Sequence, residues 1–174
     1  MKTMAWLPAA VWFACGQAAV ADEFKNVKCG ADIPKAMIGQ RSSSDKVVRI
    51  EAKYRALGLK HLGADEISDK LSSINYLICG SEFVLLVDRK NIVRDAIAFP
   101  VHSRQAPAFS GICQVGGRDL PDIFIGVLDG ASPGQMLPVQ SAWKIDQKSA
   151  KFVKAPVEGL RCPRSSIFTV DGGM

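Results

Sequence analysis

The sequence predicts an α+β fold, mainly antiparallel β-sheet with one amphipathic helix packed on it. Three observations carry that expectation. Val47, Ile50, Tyr54 and Leu57 recur at helical spacing near the N-terminus. Most of the remaining chain divides into short β-rich runs separated by Gly, Asn, Asp and Ser turns. Finally, CGSEFVLLVD from Cys79 to Asp88 echoes CPRSSIFTVD from Cys162 to Asp171, and DIPKAMIG from Asp32 echoes DLPDIFIG from Asp119. The echoes fit two diverged copies of one unit, half-units 29–90 and 113–173, or a similarity confined to the ends of each half. The sequence leaves both readings open.

Residues 1–21 read as a secretory signal peptide. Lys2 supplies a positive start, an apolar run from Met4 to Ala14 follows, and Ala19-Val20-Ala21 fits the small-x-small cleavage rule. The run is shorter than the roughly 20 residues of a spanning helix, and Gln17 interrupts it. Cleavage after Ala21 would leave residues 22–174 as a single compact exported domain, periplasmic or secreted, with no transmembrane segment in the mature chain.

Asp32 is placed to cap a short turn containing Pro34, with Gly39 as its stop. Ser44 is the expected cap of the amphipathic helix, from Asp45 to about Leu57, with Gly58 as its stop. GADEISDKL, Gly63 to Leu71, reads as a second short helix. Ile74–Cys79, Phe83–Asp88 and Ile92–Phe99 then read as a three-stranded meander. A Pro-bounded loop carries His102, Ser103, Arg104 and Gln105. Phe109–Val115 and Ile123–Asp129 are expected strands joined by a turn at GGRDLP, and GASPGQ is a loop. Ala142–Asp146 and Lys151–Ala155 are expected to form a hairpin, and Ile167–Val170 a last strand.

Removing the signal peptide takes Cys15 with it and leaves Cys29, Cys79, Cys113 and Cys162. An even count in an exported chain reads as disulfides. Four cysteines allow three pairings, and the echo favours Cys29 with Cys79 and Cys113 with Cys162, since like copies would close like loops. No C-x-x-C pair and no Cys/His spacing suited to zinc occurs, and no phosphate- or dinucleotide-binding glycine pattern; no cofactor or metal is implied.

Catalytic signatures are weak. His61, with Asp65 and Glu66 near it, is better read as an exposed histidine than as a metal or acid–base site. His102-Ser103 lacks the oriented third partner of a nucleophilic site, and no G-x-S-x-G elbow exists. Asp88 and Asp171 occupy equivalent places in the echo, where a carboxylate pair would suit glycoside hydrolysis and a polar strand exit is the plainer reading. The mild net charge of +5 is far from a nucleic-acid-binding signature, and export makes nucleic acid an improbable target.

Lys144, Lys148, Lys151 and Lys154 cluster on the expected hairpin around Trp143, the one tryptophan left after cleavage. With His102 and Arg104 they are the candidate partner-binding residues; a solvated edge hairpin is the alternative. The expected function is a non-enzymatic macromolecule-binding or inhibitor-like protein whose partner is another exported or envelope protein. The alternative is a small exported hydrolase using carboxylates or His102. The layout resembles, in architecture alone, small secreted inhibitors built from a duplicated helix-plus-sheet unit, the β-lactamase inhibitory proteins. The cysteine spacing here is wider, and no inhibitory motif matches residue by residue.

Overall fold

A computed structural model describes residues 23–42 and 46–164. The signal segment, Ser44, Asp45, Asp171 and the expected strand Ile167–Val170 lie outside these residues. Most of the described chain is antiparallel β-sheet, with few helices.

The first half opens with helix α1, Ile33–Met37. Asp32 Oδ1 accepts the Lys35 N–H at 3.1 Å, and Pro34 starts the turn where a missing N–H costs nothing. Gly39 follows with φ of 80°. Helix α2, Val47–Lys53, runs on into a 3-10 turn at Arg55–Leu57, and Gly58 ends it in the left-handed conformation. Its cap position is held by Lys46, which makes no side-chain capping bond.

The expected second helix is not formed. Gly63 to Leu71 instead completes strand β1, Lys60–Ser68, and turns into β2, Leu71–Ile78. Ile67 and Leu71 are four apart, which suits a helix as well as a hairpin. Long-range pairing with β2 decides between them, and a bulge at Gly63 absorbs the residue a helix would not have tolerated well. The meander therefore has four strands, completed by β3, Ser81–Asp88, and β4, Val93–Ala98, in the order β1-β2-β3-β4.

The second half contains β5, Ala108–Val115; β6, Arg118–Leu128; β7, Met136–Asp146; β8, Lys151–Ala155; and β9, Leu160–Pro163. Only Gly116-Gly117 turns, so most of GGRDLP is strand. β7 begins at Met136, well before Ala142, its first residues hidden in the sequence by Pro138, which argues against a strand. β9 pairs with both β5 and β7, and β6 also pairs with β7, so β6-β5-β9-β7 closes into a small barrel with β8 hanging from β7. Gly126 permits that closure: a Cβ there would strike the Ser141 carbonyl and sit 2.9 Å from Ala142 Cα.

The two echoed DxP segments adopt different structures. DIPKAMIG is helix α1, whereas DLPDIFIG lies in β6. No helix occurs among the described residues of the second half, so the helix-plus-sheet unit is seen once.

Three apolar clusters hold these parts. α1, α2 and Phe24 cover one face of the meander through Ile33, Met37, Ile50, Ile74, Tyr76 and Leu85. Its other face, with Leu71, Val84 and Leu86, packs on Ile125, Val127 and Ile145 of the second half. Phe109, Leu128, Leu137 and Leu160 fill the barrel. The disulfides follow the within-half pairing. Cys29–Cys79 (Cα–Cα 5.6 Å) ties the N-terminal segment to the β2–β3 turn, and Cys113–Cys162 (4.4 Å) joins β5 to β9 inside the barrel.

Candidate functional site

The hairpin of β7 and β8 forms where the sequence placed it, with Trp143 opposite Lys154 and Lys144 opposite Val153. Alternation puts Trp143 and Ile145 on the face toward the meander and Lys144 on the other. Lys154 Nζ lies 3.7 Å from the Trp143 ring centroid.

The lysines do not form an unopposed basic face. Lys144 pairs with Asp122 at 3.5 Å. Lys151 pairs with Asp95 at 3.4 Å and also donates to the Arg94 carbonyl, while Asp95 Oδ2 accepts the Phe152 N–H at 2.8 Å. These contacts bind β8 to β4 across the boundary between the halves and occupy an edge open to strand addition. Lys148 stands in the turn, where Asp146 Oδ1 accepts its N–H at 3.0 Å. The Asp146 carboxyl is held below its ordinary value, chiefly by the Ser149 hydroxyl at 2.7 Å. Asp122, Lys144, Asp146 and Lys148 line a shallow depression of about 330 Å³. It mixes both signs of charge, so it is not an anion site by charge alone.

The loop between the halves meets this hairpin through a residue that sequence reasoning missed. Phe99 packs edge-on to His102 at 5.8 Å between centroids and lies 6.4 Å from Trp143. Glu82, at the start of β3, was missed too: its Oε2 is 2.7 Å from His102 Nε2, and its carbonyl accepts the Phe99 N–H. Both His102 and Glu82 are largely shielded, with side-chain exposures of 18% and 11%. No local motif announces either partner, since the contact depends on where β3 begins relative to the loop. Val101 projects beside them at 97% exposure, and Arg104 is exposed in the same loop. The sequence-predicted His102 and Trp143 groups thus join into one seam, Glu82–His102–Phe99–Trp143–Lys154, contributed by both halves.

The catalytic candidates disperse. Ser103 Oγ accepts the N–H groups of Gln105 and Ala106, both at 3.2 Å, so it stabilises its own loop. Asp88 Oδ1 accepts the N–H groups of Lys90 and Ile92, the arrangement of a strand exit. His61 is not an exposed histidine. Its ring packs on Tyr76 at 5.4 Å, its backbone N–H donates to Glu51 Oε1, and its Nε2 is buried without a partner. Burial lowers its pKa, opposed by Glu51. Across the bulge, His61 pairs with Tyr76 and Asp65 with Ser73, which puts the two on opposite faces of the sheet. They are no acid–base pair. Among the described residues no group of three or more His, Cys, Asp and Glu is placed to hold a metal, and no helix is long and apolar enough to cross a membrane.

Compared with known proteins, the chain matches no family model, no curated protein and no solved structure. The paired disulfides fit an extracellular or periplasmic protein.

Proposed function

We propose that residues 22–174 form one exported domain, released after Ala21, that binds another exported or envelope protein without catalysing a reaction. The observation that carries this reading is the seam: Phe99 touches both His102 and Trp143, and Lys154 lies over Trp143. Phe99 is buried and backs the half-buried Trp143, which meets the surface beside the Lys154 cation. Such aromatic side chains are enriched at interface centres, because they bury much area for little lost side-chain freedom. Val101 and Arg104 extend the seam outward.

The alternative, a small hydrolase, draws on the His102–Glu82 contact, a histidine oriented by a carboxylate. Binding is the better supported, because the adjacent Ser103 hydroxyl is committed to its loop. The test is a pull-down from the exporting cell's envelope fraction with the mature protein and with a Trp143→Ala, Lys154→Ala variant. The binding reading expects a protein retained by the first and lost with the second. Retention of the same protein by both would remove the seam from the interface.

A further inference from the structure

Charge is distributed unevenly along this chain. Residues 23–60 hold nine Lys/Arg and four Asp/Glu, while the rest of the sequence holds thirteen of each, so the formal +5 arises entirely in this stretch. These residues build the N-terminal segment, α1, α2, the 3-10 turn and the start of β1. Their apolar side chains, Phe24, Val27, Ile33, Met37 and Ile50, face the meander. The cations are left on the outside, and all nine are exposed. Lys25, Lys28, Lys35, Lys46, Arg49 and Arg55 enter no ion pair among the described residues. By contrast, Arg89, Arg94, Lys144 and Lys151 each face an aspartate. Two protruding aliphatic side chains stand among the unmatched cations: Val48, 82% exposed between Lys46 and Arg49, and Ile38, 43% exposed at the end of α1.

We propose that this outer layer docks on an anionic lipid surface. The cations come from the N-terminal segment, both helices, the 3-10 turn and the start of β1, so they are spread over the layer. They make a broad positive field, which suits a sheet of negative headgroups. An exposed valine between two of those cations has no place in a purely ionic contact, and at a bilayer it can enter the boundary between headgroups and acyl chains. An acidic protein would satisfy the charges but would need a matching recess for Val48. This surface lies on the opposite side of the meander from the seam, so the two readings stand or fall separately.

The experiment is co-sedimentation of the mature protein with vesicles of phosphatidylcholine alone and with about one-third phosphatidylglycerol. Binding should require the anionic lipid and fall steeply with added salt, as charges a Debye length apart are screened. Lys46→Glu with Arg49→Glu should weaken partitioning at least about tenfold. Val48→Ser, which leaves the charge unchanged, should weaken it severalfold. A control pair with the same change in net charge, Lys90→Glu with Arg118→Glu, should retain most binding. These side chains are exposed, and far-UV circular dichroism checks that each variant is folded. The proposal is overturned if the vesicles bring down no protein, if the control pair loses as much as the α2 pair, or if the protein binds polyglutamate and not the vesicles.

Discussion

Lys154 Nζ lies 3.7 Å over the Trp143 ring, and the two residues are cross-strand partners in β8 and β7. This stacking changes what the lysine-rich hairpin is. A cluster that would be an anion-binding face in sequence becomes a set of matched contacts: one lysine on an indole and two on aspartates. Removing the cation from a partly exposed ring costs about 0.5–1 kcal/mol. Lys154→Ala should therefore lower stability by that amount and shift Trp143 emission, readable without interference because Trp143 is the only tryptophan in residues 22–174. Lys148→Ala, in the nearby turn, should leave emission unchanged.

The disulfides should each matter substantially. They close loops with sequence separations of 50 and 49 residues. The chain-entropy model gives about 4 kcal/mol for such a loop. Cys113→Ser with Cys162→Ser should lower the urea midpoint by an amount matching about 2–5 kcal/mol, a loss that a marginally stable domain can hardly absorb. Peptide mapping without reduction should yield Cys29 joined to Cys79 and Cys113 to Cys162; a Cys79–Cys113 peptide would contradict the fold.

Stability should fall at both ends of the pH range, for different residues. Burial lowers the His61 pKa from 6.5, so the unfolded chain binds a proton more readily. Folding free energy is therefore lost as pH falls below about 6.5. At the other end, burial pushes the Tyr76 phenol up to about 12. The unfolded phenol ionises near 10, so stability drops between about pH 10 and 12, by about 2–3 kcal/mol. Asp65, raised by burial, acts oppositely to His61 in the acid range near its ordinary value, since its neutral form is favoured in the fold. His61→Gln should flatten the acid slope and Tyr76→Phe the alkaline one in chemical denaturation series; unchanged slopes would mean that neither group is buried.

Gly126→Ala tests the closure of the barrel. The added methyl would collide with the Ser141 carbonyl and the Ala142 backbone, which cannot move without breaking the β6–β7 ladder. A loss of about 3 kcal/mol or more is expected, against roughly 0.5 kcal/mol for an ordinary surface substitution. Thermal melts of the two proteins measure it.

What the sequence made legible follows the range of the interactions. Local signals were readable: the Asp32 cap, the Gly58 stop and the β7–β8 turn each depend on neighbouring residues. The cysteine pairing was also legible, although the copies proved unlike where DIPKAMIG is helix and DLPDIFIG strand. Gly63 to Leu71 was misread because its strand pairing is tertiary, and β9 went unassigned because the four residues Leu160–Pro163 carry little periodicity. At the candidate site, His102 and Trp143 were visible as residue types in loop and hairpin. Phe99 and Glu82 were not, since only the packing of one half on the other brings them there.

The most direct measurement is site-specific photo-crosslinking in cells producing the full chain, with the reactive side chain placed at Val101, which is 97% exposed at the edge of the seam. Position 90, an exposed turn residue away from the seam, serves as the comparison. Binding through the seam predicts a discrete adduct with an exported or envelope protein at position 101, weakened by Trp143→Ala and missing at position 90. No adduct at position 101, or the same adducts from both positions, would contradict it.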